Sequence, residues 1–242
     1  MRKLTRSMIG VALVAWAWGH AQAGIVLNST RLVYPAQDRE AVLSVSNRNK
    51  STILLQSWLE ADDATAADLP FAVVPALVPL SGGGRQTVRI IHSGADMPTD
   101  RESLFWLNVQ EIPQASEQEN TLQIGIRQRI KVFYRPRQLM ADPELAPRQV
   151  RWRLKPGGVL VASNPGPFHV TLVDIELFGG ERRLLHHRNS MLAPGQAREF
   201  SLPVSVTPQQ ARLSFKSIND HGAVVAYRLS DWKTGQALWV ED

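Results

Sequence analysis

Clusters of turn-forming residues recur along this chain about every ten residues, a spacing that suits strands and leaves no room for long helices. They are Asn47-Arg-Asn49, Ser81-Gly-Gly-Gly84, Lys155-Pro-Gly-Gly158, Asn164-Pro-Gly-Pro167, Gly179-Gly180, Ala193-Pro-Gly195 and Asn219-Asp-His-Gly222. Gly supplies the left-handed backbone that tight turns need, and Pro fixes φ. Between the clusters lie short aliphatic, β-branched and aromatic runs. These are Ala41–Ser46, Ile53–Glu60, Thr87–Ile91, Ser103–Gln110, Leu122–Tyr134, Val159–Ser163, His169–Phe178, Glu199–Val206, Ala211–Ser217 and Val224–Leu229. None shows sustained helical periodicity. The pattern predicts an all-β chain built as β-sandwiches.

The length of 242 residues suits two such sandwiches, at about 100–120 residues each. Pro136, Pro143 and Pro147 fall close together. Proline cannot donate to a sheet and stiffens the chain, so this stretch reads as a connector. The predicted domains are 24–138 and 145–242. Residues 1–23 read differently. Arg2, Lys3 and Arg6 precede an apolar run from Met8 to Trp18, and Ala21-Gln-Ala23 follows. Positive, apolar, then small residues is the secretory-signal pattern. The run is too short to cross a bilayer, and no later segment is long enough. The mature chain is expected to begin at Gly24 and to work outside the cytoplasm, with no insertion in the membrane.

Removing that leader changes the charge argument. Lys+Arg total 27 against Asp+Glu 22, and the leader holds three of the bases, so the mature balance is 24 against 22. Basicity is thus largely a targeting feature. No basic cluster stands out apart from Arg127–Arg137, so a nucleic-acid partner is not expected. The absence of Cys excludes a disulfide scaffold, thiolate zinc, an iron–sulfur cluster and a cysteine nucleophile.

Motifs for catalysis are missing. His20 leaves with the leader. His92, His169, His186, His187 and His221 never fall in an H-x-H or H-x-x-x-H spacing. His186 and His187 are adjacent and would face opposite sides of a strand. There is no G-x-S-x-G elbow, Walker loop or G-x-G-x-x-G fingerprint. Gly82–Gly84 precedes a strand without the Lys-Ser/Thr of a phosphate loop. Asp62-Asp63 reads as a solvated pair. Neither an enzyme nor a cofactor is expected.

The run Leu122–Tyr134, LQIGIRQRIKVFY, carries more information. By the period of two, Leu122, Ile124, Ile126, Ile130 and Val132 share one face, and Gln123, Gly125, Arg127, Arg129 and Lys131 the other. One reading buries the apolar face in the chain's own core. The other offers it, with unpaired main-chain groups, to a second chain by β-augmentation. The pattern leaves both open.

Met97-Pro-Thr-Asp-Arg-Glu-Ser-Leu-Phe-Trp-Leu-Asn-Val-Gln-Glu-Ile-Pro113 resembles the signature of the periplasmic pilus (fimbrial) assembly chaperones. Thr30-Arg-Leu-Val-Tyr-Pro35, Gln56-Ser-Trp58, Arg129-Ile-Lys-Val-Phe-Tyr-Arg-Pro136, Asn164-Pro-Gly-Pro167 and Ser217-Ile-Asn-Asp-His-Gly222 resemble further motifs of that family. The resemblance implies two immunoglobulin-like sandwiches set at an angle around a cleft. It implies that Arg31 and Lys131 grip a subunit's C-terminal carboxylate. It implies that Leu122, Ile124 and Ile126 fill the subunit's open groove, and that Glu102, Arg135 and Asp220 form a charge network between the domains. The partners it implies are pilus subunits and an outer-membrane usher, with self-association of the free chaperone as a further expectation. Ala76, Pro79 and His221 depart from the family's pattern. The brief loop Pro113–Thr121 resembles the short-loop branch. Two other readings are a structural or adhesive immunoglobulin-like module and a sandwich-fold hydrolase or metalloenzyme, such as a superoxide dismutase-like protein. Two cysteine-free domains speak against the first, and the lack of clustered His against the second.

Overall fold

The computed structural model describes residues 24–62, 69–116, 120–139, 141–229, 231–233, 235 and 237–239. The leader expected at residues 1–23 lies outside them, as does Asp63.

Alternating side chains set the first sandwich. One sheet holds β1 (Ile25–Leu27), β3 (Ala41–Asn47), β5 (Phe71–Val74) and β7 (Arg85–His92) in the order β1-β3-β7-β5. Along β3, Leu43 and Val45 are fully buried whereas Val42 is half exposed, which is the period-two signature of one solvated face. The facing sheet holds β2 (Arg31–Pro35), β4 (Ile53–Ala61), β6 (Leu77–Leu80), β8 (Ser103–Pro113) and β9 (Arg127–Arg135) in the order β2-β9-β8-β4-β6. Their inner faces meet in a core of Leu43, Val45, Leu55, Val88, Ile90, Leu107, Val109 and Val132. Tyr34, Phe71, Phe105 and Tyr134 close its end with tilted and edge-on ring contacts. The strand β2 pairs with β9 in parallel, whereas the other pairings among the described residues are antiparallel.

The second sandwich packs β10 (Arg151–Lys155), β11 (Val159–Ser163) and β14 (Ala197–Ser201) against a five-stranded sheet. That sheet runs β13-β12-β15-β16-β17, from β12 (Val170–Gly179), β13 (Arg182–Leu192), β15 (Ala211–Ile218), β16 (Val224–Leu229) and β17 (Ala237–Trp239). Its core is built around Trp152, Leu160, Leu172, Ile175, Leu177 and Phe215. Both sandwiches are immunoglobulin-like. Each also ends a strand on a buried asparagine. The Asn47 amide donates to the carbonyls of Ser51, Leu80 and Ser81. The Asn164 amide donates to those of Phe168, Leu192 and Ala193. One side chain thus satisfies several loop carbonyls that would otherwise be buried without partners.

Several elements differ from the sequence expectation. The proline-rich connector holds a 3-10 turn, Pro143–Leu145, and one turn of helix, α1 (Ala146–Gln149). Asp142 caps the turn by accepting from Glu144 N at 2.9 Å, and proline at the first positions needs no donor partner. The strand expected over Glu199–Val206 stops at Ser201, just before Pro203. The strand expected over Leu122–Tyr134 begins only at Arg127. The departure at Pro79 is accommodated because β6 is an edge strand, where a missing N–H costs no ladder bond. The departure at His221 sits exposed in the turn between β15 and β16, where its N–H donates to Asn219 Oδ1.

Candidate functional site

Parallel pairing of β2 with β9 puts Arg31 opposite Lys131 in register, so their side chains leave the same face of the sheet. That face looks toward the second sandwich. Arg31 is only 7% exposed. Its Nη1 donates to Ile218 O in β15 at 2.9 Å, and its guanidinium lies 5.9 Å from the Phe133 ring. Its Nε is buried without a hydrogen-bond partner among the described residues. Lys131 is half-buried, with its ammonium 5.7 Å from the Trp106 ring. Among the described residues neither cation has a carboxylate within ion-pair distance. Burial lowers the pKa of both. The Arg31 charge depresses Lys131 further, and Asp220 and Glu102 partly support Arg31 from longer range. Two like charges kept out of water with spare donors are costly by themselves. They form a site that a carboxylate would complete, because charge-assisted hydrogen bonds are short and strong.

The same face continues along β9 as a cationic row over tryptophans. Arg129 stacks 4.1 Å from Trp106, and Arg127 lies 6.0 Å from Trp58. Trp106 Nε1 donates to Asp62 at 2.9 Å, so Asp62 is engaged here rather than merely solvated.

Before Arg127 the chain leaves the sheet. The last antiparallel pair of β8 with β9 is Gln110 with Arg127, followed by one more bond from Glu111 N to Ile126 O at 3.0 Å. No ladder pair follows, although β8 runs on to Pro113 opposite position 124; residues 122–123 lie past its end. Leu122 is 85% exposed, Ile124 70% and Ile126 40%. Farther along the same period-two series, Ile130 and Val132 are buried in the core. One apolar face is therefore used twice: inward at 130–132 and unpartnered at 122–126. Exposed apolar side chains in a row beside unpaired backbone invite another strand.

A charge cluster joins the two sandwiches. Arg135 donates to Glu102 Oε1 from Nε at 3.1 Å and from Nη2 at 2.8 Å. Its Nη1 donates to Asp220 at 2.8 Å. The Glu102 side chain is only 2% exposed. Burial alone would lower the Arg135 guanidinium, yet the bonds and charges of Asp220 and Glu102 together raise it. Two members went unforeseen. His169, at the head of β12, donates its backbone N–H to Glu102 Oε2 at 2.9 Å and holds its ring Nδ1 3.0 Å from the same oxygen. Phe168 lies 5.1 Å from the Arg135 guanidinium. A lone histidine inside an apolar run carries no spacing signal, and only the packing of β12 beside Glu102 reveals it. A cavity of about 260 Å³ opens here, lined by Arg31, Glu102, Arg135, Phe168, His169 and Asp220 among others. Lys131 stands outside that lining.

Among the described residues no three His, Asp or Glu side chains converge as metal ligands. None of the described helices is long and apolar enough to cross a membrane.

Comparison with known proteins gives the following. Residues 24–140 match the model of the pili and flagellar-assembly chaperone, PapD N-terminal domain. Residues 145–229 match that of the pili assembly chaperone PapD, C-terminal domain. The chain is 37% identical over 211 residues to chaperone protein FimC of Escherichia coli K12, covering 85% of this chain and 83% of FimC. The crystal structure of the Pseudomonas aeruginosa CupB2 chaperone superposes with a TM-score of 0.71 at 30% identity, over 84% of this chain and 98% of that one. The Salmonella enterica SafB chaperone, solved in complex with the SafA pilin, superposes with a TM-score of 0.71 at 29% identity, over 87% and 99%.

Proposed function

The chain belongs to the family of pilus-assembly chaperones, and on that premise we propose that it holds a pilus subunit by lending it a strand. Arg31 and Lys131 take the subunit's C-terminal carboxylate, the guanidinium through its outer nitrogens and the ammonium as a point charge. Residues 122–126 then lie along the subunit's open edge. Their main chain completes its sheet, and Leu122, Ile124 and Ile126 enter its core. Three such side chains offer roughly 5–9 kcal/mol before ordering costs. That is on the order of a whole domain's stability. No bond is made or broken and no nucleotide is consumed, so the role is not catalytic. Glu102, Arg135 and Asp220, joined by His169, fix the angle between the sandwiches and with it the distance from the anchor to the second domain.

The rest of the reading is cellular. Residues 1–23 direct export and are removed, the mature chain works in the periplasm, and the loaded complex passes its subunit to an outer-membrane usher. The observation that carries the proposal is the pair of desolvated cations without a carboxylate, Lys131 on the strand that continues from the exposed apolar row and Arg31 beside it on β2. SafB was solved with a pilin, which is what a chain of this architecture would be expected to hold.

Hydrogen exchange on a complex co-expressed with a pilus subunit tests the idea. The amides of 122–126 exchange freely in the unbound chain and should slow by at least a hundredfold when the subunit is held. A stable complex in which they still exchange freely overturns strand donation.

The depressed Lys131 also predicts a pH dependence. Its folded-state pKa lies below the ordinary lysine value of 10.5, so the ammonium loses its proton earlier than a solvated one on raising the pH. Subunit affinity should therefore fall as the pH approaches that value from below. The free chaperone should not lose stability from this group in the same window: a buried cation with a lowered pKa costs most when charged, and that cost is relieved as the pH rises through its folded pKa. Lys131→Arg should move the loss of affinity to higher pH. Binding titrations across alkaline pH distinguish the two.

A further inference from the structure

Glu111, in β8, is an acid without a visible counter-charge. It is 4% exposed, and its Oε2 has no hydrogen-bond partner among the described residues. Burial raises its pKa, against the opposing pull of the Ile126 backbone and the Asn49 side chain. No described cation stands within ion-pair distance of it. A buried carboxylate left so is expensive, and the cost falls once a cation pairs with it.

What lies against this carboxylate is Gly24. A Cβ built on Gly24 would overlap both carboxylate oxygens, so only glycine lets the backbone approach so closely. Gly24 is itself buried, and its carbonyl accepts from Arg48 N–H at 2.8 Å. The Gly24 nitrogen is two bonds from that Cβ position, which puts it within about 4.5 Å of the carboxylate. Gly24 is also the residue that follows Ala21-Gln-Ala23, the small-residue cleavage pattern.

We propose that removal of residues 1–23 creates at Gly24 the ammonium that neutralises buried Glu111, so that processing itself completes the first sandwich. The proposal rests on the export reading above. Before cleavage the Gly24 nitrogen is a neutral amide; afterwards it is a cation below a pKa of about 7.7–8.0. The location gives the pair a function. Glu111 N–H makes the last sheet bond to Ile126 O at 3.0 Å, and Gln128 Nε2 ties β9 to Ile25 O at 2.7 Å. The new ion pair fastens the first strand to the root of the 122–126 segment. The precursor leaves that root loose, and the mature protein fixes it where the segment must project from a firm base.

The test compares chains of defined terminus: one beginning at Gly24, one with Ala23 retained in front of it, and one with Gly24 α-acetylated. Thermal midpoints are measured for each, with and without Glu111→Gln. The extended and acetylated chains should melt about 5 °C below the Gly24 chain. Their Glu111 amide, which donates to Ile126 O, should exchange roughly tenfold faster. In the Glu111→Gln background the terminus should make less than 1 °C of difference, because no charge is left to neutralise. Equal midpoints for the three termini, or a difference that survives Glu111→Gln unchanged, overturn the proposal while the export reading stands. Intact mass of the exported protein gives the other arm. A natural terminus away from Gly24 overturns the cleavage reading and the processing step with it.

Discussion

Lys131→Met should abolish capture of a pilus subunit without lowering the chaperone's own melting temperature. The side chain is half-buried, unpaired and depressed in pKa by burial and by Arg31. In the free protein its charge is a burden, and an apolar isostere removes it. In the proposed complex it is half of the grip on the subunit's terminal carboxylate. Truncating one partner of a desolvated, hydrogen-bonded charge pair costs about 2–5 kcal/mol, which is a loss of roughly 30- to several thousand-fold in affinity. Arg31→Ala should be as damaging to capture and should also destabilise the free protein by about 1–2 kcal/mol, since it loses the bond to Ile218 O and packing on Phe133. Co-purification of a tagged subunit with each variant, beside thermal unfolding of the variant alone, reads both effects. Undiminished co-purification with both variants would falsify the anchor.

Arg135→Ala carries the largest expected effect on stability. Glu102 is almost wholly buried, and Arg135 supplies two of the hydrogen bonds that hold its charge. Removing the base strands that charge, at a cost of about 3–5 kcal/mol, or roughly 10 °C in the melting midpoint for a chain of this size. The bond to Asp220 is lost at the same time, so the second sandwich loses a direct tie to the first. Adding Glu102→Gln to Arg135→Ala should recover a large part of the midpoint, because the harm comes from an orphaned charge and not from a missing attraction. His169→Phe should cost far less, since the backbone N–H to Glu102 remains. A single-variant loss under about 1 kcal/mol would mean that these groups behave as ordinary solvated ions.

Much of this was readable from residue pattern, and the gaps have physical causes. Val159–Ser163 and Val224–Leu229 were found to the residue because turn clusters bracket compact apolar runs. The eleven-residue strand Arg182–Leu192 was not, because it is an edge strand whose outward face is Arg, His and Asn, with Leu184, Ser190 and Leu192 its buried members. A half-solvated polar strand reads like a loop. The period-two face of Leu122–Val132 is plain, but side-chain alternation does not mark where backbone pairing ends, and the ladder to β8 stops at Gln110 with Arg127. The same holds for Arg31 and Lys131. Motif resemblance singled them out, yet their register as neighbours on parallel strands is a property of the assembled sheet. Glu111 is illegible in the sequence for a similar cause: an acid in a strand signals nothing until its burial is known.

Since Lys131 and the apolar row share one continuous piece of backbone, their separation is set by extended-chain geometry, at about 3.3 Å per residue. In the proposed binding mode the protein acts as a ruler laid against its guest's tail. A guest whose final strand is one residue longer or shorter, measured from its last carboxylate, meets the row with the wrong side chains turned inward. Clients of this chaperone should agree in the count of residues between their chain end and their gaps, even where they agree in little else.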